Sequence, residues 1–108
     1  MPIRKQEFYE GAALHILARA GEPINIRHEA PFFLLNDTLA VLLKYSTRVR
    51  SPWGFTFTPD EQKALRKKAA ESNTAIGLIC GSDGVAAFGY KSYVIIAGSN
   101  SAAVHIAC

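Results

Sequence analysis

Thr58-Pro59-Asp60-Glu61 is the stretch that most constrains this sequence. It has a threonine cap, a proline at the first helical position and a glutamate three residues after the cap. That pattern is a capping box, in which each of the two side chains accepts a hydrogen bond from the other residue's backbone N–H. Asp60 and Glu61 suit the positive end of the helix dipole, and Lys67 and Lys68 lie toward the negative end. A helix therefore starts just past the middle of the chain and should end near Ser72-Asn73. Short apolar runs bounded by turn residues lie on either side of it. Strands before and after a helix are the signature of an α/β chain.

An earlier helix is predicted over Lys5–Arg19. Phe8, Ala12 and Ile16 recur at helical spacing, and Tyr9, Ala13 and Leu17 follow one position later. Gly21 suits the position after its C-cap, with Pro23 as a stop. Ile24–Glu29 alternates apolar and polar residues, and Phe32–Leu35 is continuously apolar. Asn36-Asp37 is a turn pair, so Phe32–Leu35 and Leu39–Ser46 read as a β-hairpin; helix competes for Leu39–Tyr45. Arg48–Thr58 reads as a loop. Thr74–Cys80 and Val85–Tyr90 are strands around a Gly81–Gly84 turn. Lys91–Ala97 fits strand or short helix, Gly98–Ser101 a turn and Ala102–Ala107 a last strand. The expected fold is α/β (α+β), a mixed β-sheet flanked by two main helices. The element order is α-β-β-β-α-β-β-(α or β)-β. Phe8, Ile16, Leu17, Leu34, Val41, Leu43, Leu65, Ile76, Leu78 and Val104 are the expected core.

Length and composition bound the class. With 108 residues the chain makes one domain, residues 1–108. Hydrophobic residues are 49% and charged residues 19%, which excludes an intrinsically disordered chain. Twelve Lys and Arg against nine Asp and Glu leave a net charge of +3, which permits an anionic partner. Apolar runs such as Tyr93–Ala97 fall far short of the roughly 18–20 residues of a spanning helix, so no membrane partner is expected. The opening MPIRKQEFYE turns charged at once and has no apolar signal core, which points to the cytoplasm. Cys80 and Cys108 form no zinc pattern. They read as two reduced thiols, with a bridge as the alternative if their strands are neighbours.

The chemistry is narrower. No phosphate-binding glycine loop occurs, and His15, His28 and His105 lack ligand spacing. No serine sits in a nucleophile elbow, and nothing near Cys80 would lower its pKa. What remains is an acid–acid–lysine constellation. Glu10 lies at the border of the first helix's apolar face, Asp37 in the hairpin turn, and Lys44 within the otherwise apolar Leu39–Tyr45. The structural alternatives are a surface helix acid, a turn residue and an edge-strand charge.

This order of residues, over about Glu7 to Cys80, resembles the PD-(D/E)xK, or restriction-endonuclease-like, nuclease fold. In that family a helix supplies a Glu and a hairpin supplies an Asp and a (Glu/Asp)-x-Lys. The resemblance implies catalytic Glu10, Asp37 and Lys44, with Mg²⁺ held by Glu10 and Asp37 and a water oriented by Lys44. It departs at Leu42, which stands where the family usually has a carboxylate. It also implies a homodimer, since cutting two strands needs two sites.

A second pattern lies at Lys44–Lys68. Lys44, Arg48 and Arg50 precede Trp53, Phe55 and Phe57; Lys63, Arg66, Lys67 and Lys68 follow. Cations interleaved with rings suit a nucleic-acid surface, the cations for phosphates and the rings for bases. Arg48, Arg50, Trp53, Lys63 and Lys67 are the candidate contacts to DNA or RNA. The alternative makes Trp53, Phe55 and Phe57 core residues, alternating onto one side of a short strand. The sequence thus predicts a small nuclease-like, nucleic-acid-binding protein with Mg²⁺-dependent cleavage as its implied activity. The alternative is a non-catalytic homodimeric binding or accessory protein, such as a mobile element would carry.

Overall fold

A computed structural model describes residues 2–19, 21, 23–97 and 104–107. The expected Gly98–Ser101 turn, the start of the last strand at Ala102 and the thiol of Cys108 lie outside the described residues. The elements are α1 (Lys5–Ala18), β1 (Ile26–Glu29), β2 (Phe32–Leu35), β3 (Leu39–Ser46), β4 (Gly54–Phe57), α2 (Pro59–Glu71), β5 (Asn73–Cys80), β6 (Gly84–Gly89), α3 (Tyr90–Ala97) and β7 (Val104–Ala107). The fold is α+β. A five-stranded mixed sheet has the order β1-β2-β3-β5-β6, and β4 and β7 form a separate antiparallel pair.

The Asn36-Asp37 hairpin forms for a definite reason. Both residues take positive φ, 53° and 56°. They are the central residues of a β-turn closed by the Thr38 N–H, which donates to the Leu35 carbonyl at 3.1 Å; Leu39 then pairs with Leu35, and Asn and Asp tolerate positive φ better than other side chains. The Asn36 Oδ1 atom also accepts a 2.8 Å hydrogen bond from the Asn25 backbone N–H. β3 then runs parallel to β5, with α2 as the crossover between them.

The sheet has two distinct faces, because successive strand side chains point to opposite sides. One face carries Phe32, Leu34, Ala40, Leu42, Ile76 and Leu78, which form one cluster with Leu65 of α2, Tyr93 of α3 and Phe55 and Phe57 of β4. The other carries Phe33, Leu43 and Ile79, clustered with Ala13 and the half-buried Tyr9 of α1. Tyr9 stacks on Tyr45 at 4.8 Å between ring centroids. Helix α1 thus covers one face and α2 and α3 the other.

Several expectations change here. Gly54–Phe57 is a strand and not part of a loop, since β7 supplies its partner. Lys91–Ala97 is helical, within α3. The Phe8 and Ile16 stripe of α1 faces outward, 63% and 42% exposed, and Leu17 is 37% exposed. A helix lying on a flat sheet touches it along one stripe, and in α1 that stripe is Tyr9–Ala13. Leu34, Leu43, Leu65, Ile76 and Leu78 are buried as expected, while Val41 and Val104 are half-buried. No helix among the described residues is long and apolar enough to cross a membrane.

Candidate nucleic-acid interface

Lys44 lies near the C-terminal end of β3, on the face that α2 covers. Its Nζ donates to both carboxylate oxygens of Glu61, at 2.9 and 2.7 Å, and lies 5.5 Å from the centroid of the Phe57 ring. Glu61 also accepts from the Thr58 backbone N–H at 3.0 Å, and the Thr58 hydroxyl accepts from the Glu61 N–H at 3.1 Å. The capping box therefore forms as the sequence requires, and its glutamate takes on a second partner. Burial pushes the Glu61 carboxyl up, but the hydrogen bonds from Lys44 and Thr58 outweigh it and hold the group below its usual value.

The acid–acid–lysine residues are not brought together. Glu10 lies on α1, beside His28 and Phe33, and accepts a hydrogen bond from Gln6 at 3.0 Å. Lys44 is on the opposite face of the sheet, and of α1 it is Gln6, not Glu10, that lines the cleft holding Lys44 and Glu61. Asp37 lies before the first residue of β3 and pairs with Arg27 at 3.4 Å. Leu39 to Lys44 is five steps along an extended strand, roughly 16–17 Å, so Asp37 and Lys44 sit at opposite ends of β3. A Mg²⁺ ion shared by Glu10 and Asp37 does not fit this arrangement: Asp37 pairs on the α2 side of the sheet, and Glu10 belongs to the α1 side. Among the described residues, no group of three or more His, Cys, Asp or Glu side chains could hold a metal ion.

The aromatic candidates also divide. Phe55 and Phe57 are core residues, 2% and 0% exposed. Trp53 is half-buried against the core, and its Nε1–H donates to the Arg48 carbonyl oxygen at 2.8 Å. It anchors the β3–β4 loop and is not a free stacking platform. Gly81, at φ +56°, packs against the same carbonyl; a Cβ there would collide with it. The Gly81 N–H donates to the Ser46 carbonyl at 2.9 Å, which fixes the loop where it leaves β3.

What the anchors hold in place is basic. Arg48 and Arg50 are exposed on the loop, and Lys63, Arg66 and Lys67 are exposed on α2. Spacings of three and four put the three α2 cations on one helix face. None of these five is in an ion pair among the described residues, whereas Lys44 is paired with Glu61 and Lys68 with Glu29 at 2.6 Å. The loop leaves β3 just beyond Lys44, and α2 begins where Glu61 meets Lys44, so both basic segments arise at one end of the molecule. Sequence reasoning did not find Glu61 as the partner of Lys44. The two are 17 residues apart, and Glu61 already had a local role that accounted for it.

The chain matches no protein-family model, no curated protein and no solved structure.

Proposed function

We propose that this chain is a nucleic-acid-binding module that engages phosphates through Arg48, Arg50, Lys63, Arg66 and Lys67. The observation that carries this reading is the division of the cations. Lys44 and Lys68 are neutralised by acids that tie α2 to the sheet, and these five are exposed and unpaired among the described residues. The segment from Lys44 to Lys68 holds seven of the twelve Lys and Arg and two of the nine acids. Positive charge concentrated on one loop and one helix face is what phosphate contacts require.

The nuclease-like part of the reading is supported by element order: a helix, a three-strand meander, then, after the short β4 of the separate pair, a second helix and a strand parallel to the third. Cleavage is not part of the proposal, because Glu10 and Lys44 line different clefts on different faces of the sheet and Asp37 and Lys44 lie at opposite ends of β3.

The test is a salt titration of binding to labelled DNA and RNA oligonucleotides, single- and double-stranded, followed by fluorescence anisotropy. Log affinity should fall linearly with log salt concentration. Arg48→Gln and Arg50→Gln should each flatten the slope by about one unit. Absence of binding at low salt, or an affinity independent of salt, would remove nucleic acid as the partner.

A further inference from the structure

We infer that a second copy of this chain pairs with the outer edge of β6, antiparallel and about a two-fold axis. The two ends of the sheet are unlike. β1, at one end, is four residues long and carries Arg27, His28 and Glu29, with Arg27 and Glu29 in ion pairs. Short, charged edge strands are how folds prevent unwanted pairing. β6, at the other end, is six residues long, Gly84-Val85-Ala86-Ala87-Phe88-Gly89, and has no charge and no proline. Among the described residues, no strand lies on its outer side. That edge presents a row of backbone N–H and C=O groups that another strand satisfies best.

The sequence of β6 suits itself. In an antiparallel pair, residues opposite one another share a face, so a two-fold axis perpendicular to the sheet must pass through a residue position. An axis through Ala86 sets Val85 against Ala87 and Gly84 against Phe88 of the other copy. An axis through Ala87 sets Val85 against Gly89 and Ala86 against Phe88. In either register the larger residues, Val85 and Phe88, each meet a glycine or an alanine, and no like charges face each other.

Strand pairing alone falls short of the roughly 1,200–2,000 Å² that stable interfaces bury. The flanks of the edge supply more. Helix α3 packs on β5 and β6 and leaves Val94, Ile95 and Ile96 exposed by 43%, 84% and 57%. The two-fold axis brings α3 of each copy over the joined strands. On the other face, Val85 and Ala87 are exposed at the rim of an apolar cleft that reaches Ile16 and Leu17 of α1. Exposed apolar groups bracketing an open edge mark an interaction surface. The guarded β1 cannot serve β6 in a head-to-tail chain, so the assembly closes at two copies.

Sedimentation of the full chain over a concentration series tests this, together with amide hydrogen exchange of residues 84–89. Wild type should sediment as two copies, with the outward-facing β6 amides protected; on dilution the mass should fall to the 11.8 kDa of one chain and the protection should be lost. Ala87→Lys and Ile95→Asp should each shift the protein to the single chain while leaving its circular dichroism spectrum unchanged, and each should abolish the rise of the thermal transition with concentration that a dimer shows. Should Ala87→Lys fail to fold, Ile95→Asp still decides, because that side chain is 84% exposed. A single chain at every concentration, a dimer whose β6 amides exchange freely, a dimer that survives Ile95→Asp, or polymers that grow with concentration would each overturn the inference.

Discussion

Lys44 and Glu61 meet through both carboxylate oxygens, at 2.7 and 2.9 Å, and their side chains are only 20% and 25% exposed. The pair joins the middle strand of the sheet to the first turn of α2. It answers the question that a lysine in an apolar strand raises. The charge is neutralised by the acid that caps the helix.

Lys44→Met should therefore destabilise the fold, although it makes β3 more apolar. It leaves Glu61 three-quarters buried with the Thr58 N–H as its remaining partner among the described residues. The expected loss is roughly 1–3 kcal/mol at neutral pH, the range for hydrogen bonds to charged groups. The acid side gives a second readout. The folded pKa of Glu61 is lowered, so its contribution is present above the unfolded carboxylate value of about 4.3 and is lost as pH falls through the folded value. Removing Lys44 takes away a lowering influence and leaves the burial, so acid unfolding should begin at higher pH. Circular dichroism across an acid titration measures both effects. A variant as stable as wild type would show that the pair is not formed in solution.

Leu65→Ala should cost about 2–5 kcal/mol, because the side chain is 0% exposed and sits between α2 and the sheet. Ile16→Ala and Phe8→Ala should each stay within about 0.5–1 kcal/mol of wild type, since both side chains are largely outside the core. Chemical denaturation of the three variants separates them. Equal losses would mean that α1 packs along its Phe8–Ile16 stripe.

The contrast between Leu65 and Ile16 shows what the sequence made legible. Local chemistry was readable: the capping box at Thr58-Glu61 and the hairpin at Asn36-Asp37 each depend on residues within a few positions, and both are present. The choice between two adjacent apolar stripes of α1 was not readable, because it depends on where Phe33, Leu43 and Tyr45 stand in the sheet. For β4 the alternation of Trp53, Phe55 and Phe57 offers a short core strand as the alternative to an exposed loop, and what decides between them, the partner β7, follows nearly fifty residues later. For the candidate site, spacing along the chain could not tell on which face Glu10 and Lys44 lie. That depended on which side of the sheet α1 crosses.

Tyr93→Phe should be neutral or stabilising by up to about 1 kcal/mol. Tyr93 is 4% exposed, its ring lies 5.1 Å from that of Phe57, and its hydroxyl has no hydrogen-bond partner among the described residues. Burial pushes its pKa up, as expected for a phenol that would ionise without solvation. A buried donor without a partner costs free energy, and phenylalanine keeps the ring while removing the donor. Thermal denaturation measures the change. A loss above about 1 kcal/mol would point to a partner for the hydroxyl in solution.

Trp53→Phe gives the sharpest separation between ordering the basic loop and contacting phosphate. The Trp53 Nε1–H holds the Arg48 carbonyl at 2.8 Å, and Gly81 packs on the same oxygen beside the indole nitrogen. Phenylalanine removes that hydrogen bond and should cost about 0.5–1.5 kcal/mol of stability. It leaves Arg48 and Arg50 in the chain, so the number of phosphates they can neutralise is unchanged. Affinity for an oligonucleotide should fall, because the loop must be ordered on binding, while the slope of log affinity against log salt stays the same. Arg48→Gln should do the reverse on the slope, flattening it by about one unit while leaving stability within about 0.5 kcal/mol. Measuring both variants over one salt series distinguishes the two effects. If Trp53→Phe flattened the slope as Arg48→Gln does, the ring or its N–H would be part of the contact surface itself, and the assignment of Trp53 as a loop anchor would fall.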